Sequence, residues 1–77
     1  MMSRIERARL IGAKRNAESA LERAIETLEG VEIHSGRGSR EFLLAAAIEA
    51  EARAEHLSLC ARILRDDAEL ALTRGRE

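Results

Sequence analysis

Two side chains that can bind metals lie one helical turn apart in the second half of the chain. His56 and Cys60 are spaced so that both would lie on the same face of a helix. A structural zinc site needs four such ligands, and the other histidine, His34, lies far away in a glycine-rich segment. The sequence therefore predicts neither a metal site nor a cofactor.

The acidic and glycine-rich segments also lack a catalytic pattern. Glu49, Glu51 and Glu55 resemble the carboxylates of di-iron bundles, but no glutamate stands three residues before a histidine. The glycine-rich residues 36–38 lack the preceding strand and the Lys-Ser or Lys-Thr pair of a phosphate-binding loop. Because no Ser, His and acid set suggests a triad either, we predict no catalytic residues, no small-molecule substrate and no enzyme activity.

The composition favours long helices that associate with another chain. The 77 residues contain no proline, tryptophan or tyrosine, and 35% of them are charged. Such a profile, dominated by Ala, Leu, Glu and Arg, is typical of long helices or coiled coils. A chain of this length buries only about 60% of the surface that its unfolded form exposes, so association is the expected way to complete its core.

Charge and hydropathy argue against a nucleic-acid partner and against a membrane. The formal net charge is -1, without the basic excess of a dedicated nucleic-acid binder. The longest apolar run, residues 42–48, is far shorter than the roughly 20 residues of a spanning helix. No targeting segment is visible, and the lone Cys60 fits a reducing compartment. These features predict a cytoplasmic protein.

Capping residues and glycines divide the chain into two helices. Ser3 and Glu6 form a capping box at the start of helix 1, predicted over about residues 4–29. Three glycines mark residues 30–38 as the turn, and Ser39 caps helix 2, predicted over about residues 40–74. The fold class is therefore predicted as all-α, a single domain over residues 1–77 that forms an antiparallel, coiled-coil-like two-helix hairpin.

Charges at the open end of the hairpin predict the pairing of its helices. If the chain reverses near Ser35, the basic start of helix 1, with Arg4 and Arg7, lies opposite three carboxylates of helix 2: Asp66, Asp67 and Glu69. Basic residues at a helix N-terminus oppose the macrodipole, and the opposite carboxylates would compensate them. We expect these pairs to set the register of the two helices.

Helix 2 carries two apolar stripes on nearly opposite faces. The first alternates at four and three residues like a coiled-coil seam, and helix 1 carries a thinner match that includes Leu21 and Leu28. We interpret the first stripe as the intramolecular seam, formed by Leu43, Ala47, Ala50, Ala54, Leu57, Ala61, Leu64 and Ala68. We interpret the second stripe as the partner-binding face, formed by Leu44, Ile48, Ala52, Leu59, Ile63 and Leu70. Since helix 1 can cover only one stripe, a second copy or another protein would complete a four-helix arrangement.

The junction between the helices resembles a known family. The run from Leu21 to Leu28, a glycine-rich turn, and an Ala-rich helix that opens with Glu41-Phe42 resemble the small E-type co-chaperones of type III secretion needles. The resemblance extends to about Leu64 and implies a two-helix hairpin whose partners are the needle subunit and a helical-repeat co-chaperone. It also implies that the protein suppresses premature needle polymerisation in the cytosol. The chain departs from the family in a longer turn and in its extension past Leu64.

These patterns predict a non-enzymatic protein-binding module, whether adaptor, chaperone or inhibitor, that engages a partner helix through an apolar face of helix 2. Two alternatives remain open. The first is a homodimeric helical bundle that regulates nucleic acid through the basic start of helix 1, formed by Arg4, Arg7, Arg9, Lys14 and Arg15. The second is a small phage- or plasmid-type inhibitor of a host protein.

Overall fold

The computed structural model describes residues 2–75 as two helices joined by a tight turn. Helix α1 covers Arg4–Ser35 and helix α2 covers Arg40–Gly75, and the two pack against each other. The hairpin is long and thin, with extents of 58 × 19 × 13 Å. The predicted all-α hairpin is thus confirmed; residues 1 and 76–77 of the predicted domain lie outside the described residues.

Serine side chains cap the start of both helices, as predicted. The Glu6 N–H donates a hydrogen bond to Ser3 Oγ at 3.1 Å, and the Phe42 N–H donates to Ser39 Oγ at the same distance. The Ser39 hydroxyl also donates to the Gly36 carbonyl at 2.8 Å, which ties the cap of α2 to the turn. These bonds satisfy amide groups that have no partner inside their helix.

The turn is shorter than predicted, because α1 continues through Gly30 to its end at Ser35. The prediction of a turn over residues 30–38 is therefore wrong for residues 30–35. Glycine within a helix costs about 1 kcal/mol relative to alanine, but the extra turn half-buries Val31, which offsets that cost. The chain reverses at Gly36, whose φ of 82° suits glycine and whose N–H donates to the Glu32 carbonyl at 3.0 Å.

An ionic contact at the open end fixes the register of the two helices. The Arg7 guanidinium pairs with Asp66 and donates from Nη2 to Asp67 Oδ1 at 2.7 Å. Asp66 is only 4% exposed and also accepts a hydrogen bond from the Met2 N–H at 3.3 Å. The predicted pairing of Arg7 with the two aspartates is confirmed, whereas Arg4 lies exposed at the surface.

The hairpin seam is formed by residues that alternate at four and three on both helices, and each is buried or half-buried. Helix α1 contributes Arg7, Leu10, Lys14, Ala17, Leu21, Ala24, Leu28 and Val31. Helix α2 contributes Phe42, Ala45, Glu49, Ala52, His56, Leu59, Ile63, Asp66 and Leu70. The best-buried apolar side chains among the described residues are one leucine and three alanines, so the core is thin: Leu10, Ala17, Ala24 and Ala45.

The two apolar stripes of α2 lie on opposite sides from those predicted. Leu43, Leu57 and Leu64 are 60%, 59% and 66% exposed, so the prediction that their series forms the intramolecular seam is wrong for α2. On α1, Leu21 and Leu28 do lie in the hairpin seam. Four residues of the predicted partner-binding face are half-buried in the seam instead: Ala52, Leu59, Ile63 and Leu70.

The position of Asp66 gives the physical reason for this exchange. Its carboxylate is buried against Arg7 and must face α1. Residues three or four positions away along a helix share its face, so Ile63 and Leu70 turn toward α1 with it. The fully apolar series is thereby rotated outward.

Candidate partner-binding surface

The side of α2 that points away from α1 is apolar along nearly its whole length. We call this surface the outer face; it consists of Leu43, Ala47, Ala50, Ala54, Leu57, Ala61, Leu64, Ala68 and Ala71. All of these residues are exposed except Ala61, which is half-buried. At a rise of 1.5 Å per residue the outer face is roughly 42 Å long, and it lies roughly 150° around the helix from the hairpin seam.

The equivalent side of α1 has a different composition. Between residues 15 and 29, the positions of α1 that point away from α2 are Arg15, Ser19, Glu22, Glu26 and Glu29, and all are exposed. Exposed Ile5 and Ile33 lie on this side only near the two ends of the helix. Polar residues at these positions are normal for a helix that faces water. The apolar outer side is therefore a property of α2 and does not follow from the hairpin fold itself.

Two rows of residues border the outer face along its length. One row consists of Ala46, Arg53, Cys60, Asp67 and Arg74. The other consists of Leu44, Glu51, Ser58, Arg65 and Leu72. Each row carries both positive and negative charges, and the exposed Leu44 and Leu72 extend the apolar surface at its two ends. A partner on the outer face would meet these rows on either side.

A groove between the helices adjoins the outer face near the turn. It has a volume of about 450 Å³, and its lining includes Val31, Leu44, Ala45 and Ile48. Leu44 and Ile48 belong to the predicted partner-binding face and are the members of that set that remain exposed. The groove is open and mostly apolar, so it could receive a side chain of a partner.

A polar cluster in the middle of the hairpin includes both candidate metal ligands. His56 Nε2 lies 3.3 Å from Glu18 Oε1 and 3.7 Å from Cys60 Sγ. Lys14 Nζ lies 3.2 Å from the same oxygen of Glu18. The hydrogen bond with His56, followed by the contact with Lys14, lowers the pKa of Glu18 below its usual value. Of these contacts, the one between His56 and Glu18 links α1 to α2.

No metal-binding arrangement is found within residues 2–75. No group of three or more His, Cys, Asp or Glu side chains there is placed to hold a metal ion. Glu49, one of the carboxylates that resemble a di-iron set, instead lies in the hairpin seam and accepts from Arg53 Nε at 2.8 Å. Glu51 and Glu55 are exposed.

The basic start of α1 is partly engaged within the hairpin. Arg7 pairs with the two aspartates of α2, and Lys14 contacts Glu18. Arg9 and Arg15 are exposed, as is Arg4. The charges left for an external polyanion are therefore fewer than the sequence suggests.

Periodicity alone detects the outer face but does not show how α2 is rotated about its axis. The signal that resolves this rotation is the pairing of Arg7 with Asp66, because a residue that contacts α1 fixes the side of α2 that faces inward. Asp66 follows Leu59 and Ile63 at helical spacing, so the three residues belong to one face. The sequence contains this constraint, and it contradicts the choice of the purest apolar series as the seam.

Comparison with known proteins gives no relative: no family model, no curated protein and no solved structure matches this chain. Neither described helix is long and apolar enough to cross a membrane. The surfaces of the hairpin itself are therefore the basis for inferring its function.

Proposed function

We propose that this chain is a non-enzymatic protein-binding module that packs a helix of another polypeptide against the outer face of α2. The observation that carries this proposal is the exposure of Leu43, Leu57 and Leu64, each about three-fifths exposed, in one continuous apolar stripe. Large apolar patches on a small protein commonly mark interaction sites. This stripe is the more apolar of the two faces of α2.

The spacing of the outer face supports a helix as the occupant. Residues that alternate at four and three form the holes into which side chains of a facing helix insert. Alanine occupies most positions of the outer face, and small residues allow two helices to approach closely. A flat or irregular partner surface would not place side chains into holes at this spacing.

The chaperone role is the form of this proposal that the family resemblance favours. The E-type co-chaperones, which the chain resembles, bind a needle subunit in the cytosol. An amphipathic helix of such a subunit is prone to self-association, and the outer face offers an apolar surface that would cover it. Adaptor and inhibitor roles, including a phage- or plasmid-type inhibitor, would use the same contact.

A site-specific crosslinking experiment tests the proposal. A photo-reactive phenylalanine analogue replaces Leu57 on the outer face, and a matched variant carries it at Glu22 on the polar side of α1. In cells that make the protein naturally, we expect protein adducts from position 57 and few from position 22. Equal yields from both positions, or no adduct from position 57, would contradict the proposal.

A further inference from the structure

We infer that the occupant of the outer face is a second copy of this chain, with the two α2 helices packed antiparallel about a two-fold axis. This inference deepens the proposed function and rests on it, because it identifies the bound helix as α2 of a second copy, in place of the subunit helix of the chaperone form. The same residues would then serve on both sides of the interface, as two-fold symmetry requires. In an antiparallel pair, the outer face and its two bordering rows are complementary to the same surfaces of the second copy.

One antiparallel register pairs the outer face with itself over most of its length. It places Leu57 opposite the partner's Ala61 and Leu64 opposite the partner's Ala54. Each leucine therefore meets an alanine, a combination that fills space without excess volume. The remaining layers between residues 47 and 71 pair alanine with alanine, so every layer is apolar.

The charges that border the outer face are complementary in this same register. Glu51 lies on the same side as the partner's Arg65, and Arg53 lies on the same side as the partner's Asp67. Because the axis is two-fold, each pairing occurs twice. No pair of like charges is brought together, and the exposed Leu44 meets the partner's Leu72 at the ends of the interface.

Other arrangements of the two helices lose this complementarity. A shift of one heptad in one direction places Glu51 beside the partner's Ser58 and Arg53 beside the partner's Cys60. The opposite shift brings Arg53 against the partner's Arg74, which is repulsive. These comparisons select one antiparallel register from the sequence of the bordering rows alone.

A parallel pairing also lacks ion pairs. It sets Glu51 beside the partner's Ala46 and Arg65 beside the partner's Cys60. The charges that match in the antiparallel pair are then far apart along the helices. Charge pattern is one of the features that set the orientation of coiled-coil partners.

The thin core of the hairpin is a further reason to expect a second copy. Leu10 is the one large apolar side chain among the described residues that is less than a tenth exposed, beside three alanines. Chains of this size commonly complete their core by association. Since the hairpin seam and the outer face are nearly opposite on α2, the dimer would place four helices in an almost flat row, with the two α2 helices at its centre.

The bordering charges differ in how directly they can be tested. Arg53 already contacts Glu49, and Asp67 already accepts from Arg7 within the hairpin. A carboxylate can accept more than one hydrogen bond, so Asp67 could serve both chains. Glu51 and Arg65 are exposed and are the better pair for a test, because exchanging them leaves those contacts of the seam intact.

The first experiment measures the mass of the purified chain by light scattering and by sedimentation over a concentration series. We expect a dimer, and we expect Leu57→Glu to be monomeric with its helix content retained by circular dichroism. Ile33→Glu is the matched control, because Ile33 is 81% exposed but lies on α1. It should remain dimeric. A chain that stays monomeric at its highest soluble concentration would overturn the inference.

The second experiment tests the register by exchanging charges. Glu51→Arg and Arg65→Glu each create two like-charge contacts in the dimer, and each should raise the dimer dissociation constant roughly tenfold to thirtyfold at low salt. The double variant restores both attractive pairs and should return to within about threefold of the wild-type value. A double variant no tighter than the single variants would contradict the antiparallel register.

The outcomes also separate this inference from the proposed function. A monomeric purified chain whose position 57 crosslinks to a different protein in cells would overturn the second copy and leave the helix-binding function in place. A monomeric chain with no adduct from position 57 would overturn both. Crosslinks between two copies, together with rescue by the charge exchange, would support both.

Discussion

The two long faces of α2 differ in polarity, and the more polar face is the one that packs against α1. Hydrophobicity alone would predict the opposite. The hairpin seam includes Glu49, His56 and Asp66, and it is the side that α1 covers. The outer face contains no polar residue and is exposed. Asp66 and His56 have specific partners on α1, so they select one rotation and one register of the two helices. The polar residues therefore determine which face closes the hairpin, and the purely apolar face remains for a second chain.

The largest expected effect is on the free energy of unfolding when a leucine of the hairpin seam is truncated, compared with a leucine of the outer face. Leu10→Ala in the hairpin seam should lower the free energy of unfolding by about 2–5 kcal/mol, because Leu10 is 5% exposed and a cavity would remain. In a protein this small, that loss would leave much of the chain unfolded. Urea denaturation at fixed protein concentration measures it.

Leu57→Ala is the control for that change on the outer face. In an Arg65→Glu background, at a protein concentration below the raised dimer dissociation constant, it should alter the free energy of unfolding by only about 0.5 kcal/mol, as for other surface substitutions. If Leu57→Ala were as destabilising as Leu10→Ala in that background, the assignment of the two faces would be wrong.

The next effect concerns the buried carboxylate that fixes the rotation of α2. Asp66→Ala removes the buried one of the two carboxylates that pair with Arg7, and we expect a loss of about 2 kcal/mol; breaking a fully buried pair costs more, but Arg7 is half-buried. Asp67→Ala is the matched control and should cost less than about 1 kcal/mol, because Asp67 is exposed. Thermal unfolding of both variants would show the difference, and equal losses would argue against a special role for Asp66.

Several features of the fold can be predicted from the sequence because they depend on local rules. The caps at Ser3 and Ser39 follow from side chains that accept backbone N–H groups. The contact of Arg7 with Asp66 follows from charge at the open end of an antiparallel hairpin. These predictions need only the order of residues along the chain and the approximate position of the reversal.

The features that could not be predicted depend on contacts between the helices. Gly30 is typical of a helix end by its local preference, but α1 continues beyond it to Ser35 and half-buries Val31 against α2. Leu57 and Ile63 lie in two stripes that are both apolar and periodic, so periodicity cannot tell which one faces α1. That choice depends on the polar contacts of Asp66 and His56, whose partners lie far away in sequence.

A smaller effect tests the polar outer side of α1, which contrasts with the outer face of α2. Gly12 lies inside α1 in its N-terminal third, is exposed, and has no neighbour that a new Cβ would contact within 4 Å. Gly12→Ala should therefore raise the free energy of unfolding by about 0.5–1 kcal/mol, since alanine restricts the unfolded chain and favours helix. The dimer mass should be unchanged; weaker association would show that this side of α1 is also an interface.

The smallest effect depends on pH and tests the polar cluster at the centre of the hairpin seam. The pKa of Glu18 is lowered in the folded chain, chiefly by the hydrogen bond with His56 and then by the contact with Lys14. A carboxyl whose pKa falls on folding contributes stability that is present above its unfolded pKa, near 4.3, and is lost as the pH falls through its folded pKa. Glu18→Gln should therefore be less stable than wild type at pH 7, and the difference should shrink as the pH is lowered past about 4.

Urea midpoints of wild type and Glu18→Gln at several pH values measure this difference. Glu22→Gln, on the solvated side of α1, controls for the removal of one negative charge. A difference for Glu18→Gln that is independent of pH would mean that the carboxylate stabilises the seam by packing alone. A difference that shrinks on acidification would mean that the polar contacts between α1 and α2 contribute to closing the hairpin on the less apolar face, because the ionised form of Glu18 is the one that holds His56 of α2.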